Sequence, residues 1–241
     1  MAALDKQMRI LIIDGHAFAY RAFFAIRDLS SPSGQPTNAI YGFINMFEKF
    51  EAKVLPTHTV VVWDGGLDEG RVEELSDYKD QRDPMPDDME VQLDEIESYL
   101  EASGIASVCH KGVEADDRIG QLTKSAESEG LEVAIASSDK DFFQLVNDRV
   151  KIWNPSDKSG EPMDEIAVKI KTGVRPEQIV DWLSLVGDAA DNIPGVPGIG
   201  VKTAATLLNE FGTVSELYKR LEDVKRDKQR QALLDSEANV R

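Results

Sequence analysis

Three short apolar runs in this chain lead into an aspartate: Arg9-Ile-Leu-Ile-Ile-Asp14, Thr59-Val-Val-Val-Trp-Asp64 and, slightly offset, Glu132-Val-Ala-Ile-Ala-Ser-Ser-Asp139. Unbroken Val/Ile runs of this length predict strands buried on both faces. Between them the pattern of apolar positions predicts helices over about 38–52, 70–82, 87–103, 115–129 and 140–147. Pro84-Met-Pro86 separates the second helix from the third. Strands alternating with helices predict an α/β fold, a Rossmann-like parallel sheet with helices on both faces. In such sheets ligands bind beyond the carboxyl ends of the strands, where the three aspartates fall. From residue 176 onward the pattern is helical, with a hairpin between helices around 195–200, an amphipathic helix and a charged tail. The expected division is 1–175 for the sheet domain, with a helical arch at about 66–103, and 176–241 for a helix–hairpin–helix region.

The 241 residues suffice for one α/β core and a helical annex, and 41% hydrophobic content excludes wholesale disorder. No apolar run is long enough to span a membrane. The N-terminus lacks the arrangement of a secretory signal, since its apolar run stops at Asp14. Cys109 is the only cysteine, so no internal disulfide forms. A cytoplasmic location without a membrane partner is expected.

The net charge is −17, the opposite of the basic footprint of most nucleic-acid proteins. Two divalent cations would leave −13. Binding of a polyanion must therefore come from local groups. The acidity is uneven: Gly66 to Glu101 holds fourteen acids and three bases, whereas Gly195 to Arg241 holds seven acids and eight bases. An acidic surface also suits a protein kept soluble at high salt.

The candidate acids are Asp14, Asp64, Glu114, Asp116, Asp117, Asp139, Asp141, Asp188 and Asp191. Each has an ordinary alternative. Glu114-Ala-Asp116-Asp117 suits the first turn of a helix, Asp139-Lys-Asp141 a cap, and Asp188-Ala-Ala-Asp191 a solvated turn. Jointly they share no single ordinary cause. If they converge, they cannot remain ionised together without cations. All-oxygen donors select magnesium or manganese, and the number of acids suits a two-metal centre for displacement at phosphorus. His16, His58 and His110 are scattered and read as non-catalytic.

Gly195-Val-Pro-Gly198-Ile-Gly200 lacks the leading strand of a dinucleotide fingerprint. A helical hairpin fits better: its glycines let backbone N–H groups approach a phosphate, and Lys202 adds a cation. The alternative is a tight turn without a ligand. Over 70–82, a helix would set Arg71, Leu75, Tyr78 and Arg82 within about 60° of one another, with Lys79 at the edge. That face could hold phosphate while Tyr78 stacks on a base. The alternative is a surface helix with salt bridges and a buried tyrosine.

The segments Ile13–Arg21, Trp63-Asp64, Asp77–Arg82 with Pro84-Met-Pro86, Gly112–Asp117, Ser138–Asp141 and Gly187–Gly200 together resemble the 5′-nuclease (flap endonuclease) family. This group includes the 5′→3′ exonuclease domain of bacterial DNA polymerase I. The resemblance implies a PIN-like sheet followed by a helix–three-turn–helix region. It implies a first metal on Asp14, Asp64, Glu114 and Asp116, and a second served by Asp117, Asp139, Asp141, Asp188 and Asp191. The metals would be two Mg2+, replaceable by Mn2+, with a potassium ion on the hairpin carbonyls. Arg71 and Lys79 would contact the scissile phosphate region. Arg21, Tyr78, Arg82, Gly195, Gly198, Gly200 and Lys202 would contact DNA. The implied activity is hydrolysis of phosphodiesters near 5′ ends, at flaps, nicks or ends, including RNA primers, in replication and repair. The partners would be such DNA and an attached or separate DNA polymerase, the enzyme itself being a monomer.

The chain departs from the family pattern at Gly70, where an aromatic often precedes the arch arginine, at Ser138, where glycine is usual, and in the acidity of the arch. It stops without a helix-stop signal, as in a fragment of a longer protein or a short stand-alone form. A PIN-type ribonuclease would share the acidic sheet end but not need the hairpin. A non-catalytic DNA-structure binder would tolerate a missing carboxylate, and none is missing.

Overall fold

The structure is a computed structural model that describes residues 8–67, 69–74, 79 and 84–240. Tyr78 and Arg82 lie outside the described residues. Contacts divide the chain into two units: residues 1–69, 83–142 and 148–162, and residues 70–82, 143–147 and 163–241.

The first unit is a parallel α/β layer structure. Strands β1 (Arg9–Asp14), β2 (His58–Trp63), β3 (Ala106–Cys109), β4 (Glu132–Ala136) and β5 (Val150–Trp153) form one sheet in the order β3-β2-β1-β4-β5. Every neighbouring pair is parallel. Leu11, Ile12 and Ile13 of β1 are completely buried, as a central strand covered on both faces requires. Helices α1 (Gly15–Ala25), α2 (Asn38–Val54) and α4 (Asp87–Ala102) build the core on one face. There Phe18, Phe43, Phe47, Trp63, Met89, Ile96 and Leu100 pack with Leu11 and Ile13. Helix α5 (Ala115–Ser128) packs against β1, β2 and β4.

A buried amide network ties three of these helices together. Gln92 Oε1 accepts from the backbone N–H groups of Ala39 and Ile40 at the start of α2, while its Nε2 donates to Asn38 Oδ1. Asn38 Nδ2 in turn donates to the carbonyls of Phe23 and Ile26 at the end of α1. Orphan donors at one helix start and acceptors at one helix end are thus satisfied by two side chains.

In the second unit, α6 (Glu165–Thr172) begins at Asp164, whose side chain accepts from Ala167 N–H, and ends at Gly173 with φ +83°. Helices α7 (Ile179–Val186), α8 (Val201–Phe211), α9 (Val214–Lys219), α10 (Asp227–Asp235) and α11 (Glu237–Val240) follow. Ile179, Leu185, Ala204, Leu208 and Leu217 are fully buried. Gln178 holds the end of α8, its Nε2 donating to the carbonyls of Leu208 and Gly212 at 3.0 and 2.8 Å.

Several expectations need correction. The third strand stops at Ala136, so Asp139 lies in the following loop. The helix expected over 140–147 is a 3-10 turn, Asp141–Leu145. Strands β3 and β5 were not expected: Ala106-Ser-Val-Cys109 is short and mostly exposed, and Val150-Lys-Ile-Trp153 alternates as an edge strand does. Helix α1, which was also not expected, follows β1 without a linker, with Asp14 as its N-cap. The helix expected over 70–82 is described as α3 (Glu69–Glu74), and Lys79 has φ +56°, outside the right-handed helical region. A continuous helix through Lys79 is therefore ruled out, and the shared face drawn for Arg71 and Lys79 with it. Among the described residues no helix is long and apolar enough to cross a membrane.

Candidate active site

Parallel register brings the carboxyl ends of β1, β2 and β4 side by side: Asp14 pairs with Val62, and Ile13 with Ala136. Asp14 ends β1, Asp64 follows β2 directly, and Asp139 stands three residues beyond β4. A loop from the start of α5 joins them. Gly65 N–H donates to Val113 O at 3.0 Å, and Gly112 N–H donates to Gly65 O at 2.8 Å. Only glycine permits this approach, since a Cβ on Gly65 would lie 1.7 Å from the His110 carbonyl oxygen. The paired loops set Asp64 beside the segment that delivers Glu114, Asp116 and Asp117.

Asp14 is 8% exposed. Its Oδ1 accepts from Ala17 N–H at 3.1 Å, capping α1, and its Oδ2 accepts from Ser137 Oγ at 3.0 Å. Burial, opposed by these two hydrogen bonds and reinforced by the charges of Asp139 and Asp64, pushes its pKa up to about 6. Ser137, 1% exposed, also accepts from Asp139 N–H at 3.2 Å, so one hydroxyl fixes two of the acids. Asp64 Oδ1 accepts from Gly66 N–H, and Asp139 Oδ1 from Asp141 N–H. Glu114 occupies the N-cap position of α5 and is 1% exposed, yet its side chain makes no cap hydrogen bond. The ordinary capping role is therefore real for Asp14 and not for Glu114. Asp116 is half-buried and Asp117 exposed in the first turn of α5.

Two contributors are not visible as chemistry in the sequence. Ser137 sits in the Ala-Ser-Ser-Asp stretch that closes the β4 run, and a small hydroxyl before an acid is the only clue. His16, read as non-catalytic, accepts from Asp64 N–H through Nδ1 at 3.0 Å and meets Trp63 edge-on at 5.3 Å. Burial lowers its pKa against the opposing charge of Asp64, favouring the neutral ring that this acceptor role needs.

The second unit places its acids and glycines in one loop. After α7, Gly187 with φ +77° turns the chain, and Asp188 and Ile193 exchange backbone hydrogen bonds at 2.9 and 2.8 Å. Carboxylate oxygens of Asp188 and Asp191 lie within 4.8 Å of one another. The hairpin glycines have different tasks. Gly195 is packed, since a Cβ there would lie 2.2 Å from Val186 O. Gly198, with φ +79°, and Gly200 have no heavy atom within 4 Å of an added Cβ, so their backbone faces open space. Val196 and Ile199, each 3% exposed, anchor the loop from below. Lys202 is exposed in the first turn of α8.

Among the arch cations, Arg71 is half-buried. Lys79 is 6% exposed; its backbone N–H donates to Asp191 O at 3.3 Å, and its ammonium lies 4.0 Å from Asp191 Oδ2. Arg21 is half-buried and donates to Ser156 Oγ at 2.5 Å. Oxygen-only donors in both units suit a hard divalent cation, with no soft or imidazole donor among the assigned acids.

Comparison with known proteins agrees with this geometry. Residues 9–173 match the model of the 5′-3′ exonuclease N-terminal resolvase-like domain, and residues 174–241 match the 5′-3′ exonuclease C-terminal SAM fold. The chain is similar to the 5′-3′ exonuclease of Aquifex aeolicus, 41% identical over 218 residues, covering 90% of this chain and 75% of that protein. It is also 39% identical over 222 residues to DNA polymerase I of Caldicellulosiruptor bescii, covering 90% of this chain but only 26% of the polymerase. The chain thus spans about a quarter of the length of the polymerases it matches. The fold is similar to that of the bacteriophage T5 flap endonuclease, solved as a pseudo-enzyme-product complex with DNA and metal ions. That match has TM-score 0.77 and 23% identity, and covers 96% of this chain and 86% of the phage chain. With both family models matched in order along nearly its whole length, the chain belongs to the 5′-3′ exonuclease family.

Proposed function

We propose that the chain is a magnesium-dependent 5′→3′ exonuclease and structure-specific flap endonuclease, cutting DNA phosphodiesters near 5′ ends, including RNA-primed ends. The observation that carries this reading is the delivery of Asp14, Asp64 and Asp139 to one end of a single parallel sheet, beside the Glu114 loop. Asp14, Asp64, Glu114 and Asp116 would hold one Mg2+. Asp117, Asp139, Asp141, Asp188 and Asp191 would serve a second, with Mn2+ able to replace either. When bound, the ions would supply an acidified water and offset charge during in-line displacement at phosphorus. The protein's own part is positioning. Ser137 and the Ala17 amide orient Asp14, and His16 holds the Asp64 backbone. Arg71 and Lys79 would contact the scissile phosphate region, with Arg21, Tyr78 and Arg82 along the same strand. The open backbone at Gly198 and Gly200, with Gly195 behind it and Lys202 beside it, would hold the duplex, with K+ on the hairpin carbonyls.

The domains are proposed as 1–175 for catalysis and 176–241 for duplex grip. Support comes from the T5 protein's complex with DNA and metal ions and from the DNA polymerase I relatives. The enzyme would act as a monomer in the cytoplasm, with a DNA polymerase attached or separate. The test is Asp116→Ala on a 5′-flap duplex. Cleavage should fall by about 10²–10³-fold or more, with binding in Ca2+ and the circular dichroism spectrum retained. Normal turnover by this variant would overturn the metal assignment.

A further inference from the structure

Lys79 is an unusual lysine. Its side chain is 2% exposed, and its backbone sits at φ +56°, a region that non-glycine residues seldom occupy. Burial of an ammonium is tolerated only when it is paired, and a left-handed backbone persists only when its surroundings hold it there. Two of its ties lead to Asp191. The backbone N–H donates to the Asp191 carbonyl at 3.3 Å, and Nζ lies 4.0 Å from Asp191 Oδ2. Asp191 shares its loop with Asp188, their carboxylate oxygens lying within 4.8 Å. Two acids at that separation repel unless a positive charge stands near them. Among the described residues, the Lys79 ammonium places a positive charge beside Asp191.

We infer that Lys79 is the resident counter-cation of the Asp188–Asp191 loop and competes with the divalent ion that these acids take up, so that metal uptake and release of the Lys79 side chain are one equilibrium. This rests on the metal-dependent reading of the same acids. The donor set fits the ion: it is all oxygen, and a cation already lies against it. Linkage is reciprocal, so whatever Lys79 contributes to the metal-free loop is subtracted from metal affinity. A lysine freed in this way reaches phosphate only after the metal has entered, which would couple substrate contact to a loaded site. A lysine that merely props the loop would act in the opposite direction, because removing it would loosen the acids and weaken metal binding.

The experiment is Mn2+ binding to the full chain without DNA, followed by electron paramagnetic resonance of the free ion. Lys79→Met should bind the weaker Mn2+ about five- to tenfold more tightly than the unmodified chain, while Lys79→Arg, which keeps the charge, should stay near it. Affinity unchanged or weakened in Lys79→Met would overturn the inference. Amine acylation of the unmodified chain gives an answer that does not depend on the variant folding. Lys79 should be protected in EDTA and become reactive in Mn2+, and protection that persists at saturating Mn2+ would overturn the inference. Mn2+ uptake with no response at Lys79 sinks this inference alone, whereas no uptake by any form sinks the metal reading as well.

Discussion

Asp14 at the end of β1 and Asp191 in the loop after α7 are the same residue type in acid-rich surroundings, and the fold treats them differently. Asp14 is 8% exposed and fixed by two hydrogen bonds; burial, reinforced by the like charges of Asp139 and Asp64, raises its pKa to about 6. Asp191 keeps 15% of its side chain exposed and lies against the Lys79 ammonium. Burial at the first site favours the proton, whereas at the second a cation lies against the acid. The first is oriented by its own hydrogen bonds, the second by a neighbouring cation.

The largest effect should follow from breaking the backbone contacts beneath these acids. Gly65→Ala puts a Cβ 1.7 Å from the His110 carbonyl oxygen, and Gly195→Ala puts one 2.2 Å from the Val186 carbonyl oxygen. Backbone cannot yield as a flexible side chain does, so each should cost about 3 kcal/mol or more in urea unfolding. Gly198→Ala meets no atom but takes on φ +79°, and should cost about 1 kcal/mol. A Gly65→Ala protein as stable as the parent would mean that the two loops are not zipped as described.

Asp14→Asn tests the proton side of the comparison. A carboxyl raised from 3.8 to about 6 contributes stability below pH 3.8 that is lost as pH rises through about 6. Without metal at pH 8, the neutral amide should therefore stabilise the chain, by up to roughly 3 kcal/mol. The gain should shrink steadily as pH falls from 6 toward 4. With Mg2+ present the order should reverse. Thermal melting in EDTA at pH 5 and pH 8 checks the sign, and a gain larger at pH 5 would refute it.

The smallest effect belongs to the exposed cation beside the open hairpin. Lys202→Ala should weaken duplex binding a few-fold and lower the salt slope of log affinity by about 1, without altering thermal stability. An unchanged slope would remove Lys202 from the contact.

Much of this was legible in the sequence because burial leaves a direct trace. Unbroken runs such as Ile10–Ile13 mark strands covered on both faces, and their ends place Asp14 and Asp64 without further information. The weaker strands were not legible, since Ala106–Cys109 is only four residues long and mostly exposed, too short to show a pattern. Residues 70–82 misled for a physical reason: helical spacing was consistent with the bases, but Lys79 has a left-handed backbone and contacts Asp191, more than a hundred residues away in the chain, which no local spacing records. Ser137 and His16 share that difficulty. Their roles depend on which strand ends become neighbours, a property of the sheet rather than of any local spacing. The hairpin glycines were legible as a group, but their separate tasks were not, because packing against Val186 distinguishes Gly195 from Gly198 only in three dimensions.

The most direct test of the metal-dependent nuclease reading is cleavage of a duplex bearing a 5′-labelled flap, first in Mg2+ and then in EDTA. The expected result is release of short labelled 5′ products in Mg2+ and none in EDTA, product length separating flap removal from stepwise trimming. Tight binding of the same duplex with no cleavage in either Mg2+ or Mn2+ would contradict it, leaving a chain that holds DNA without cutting it.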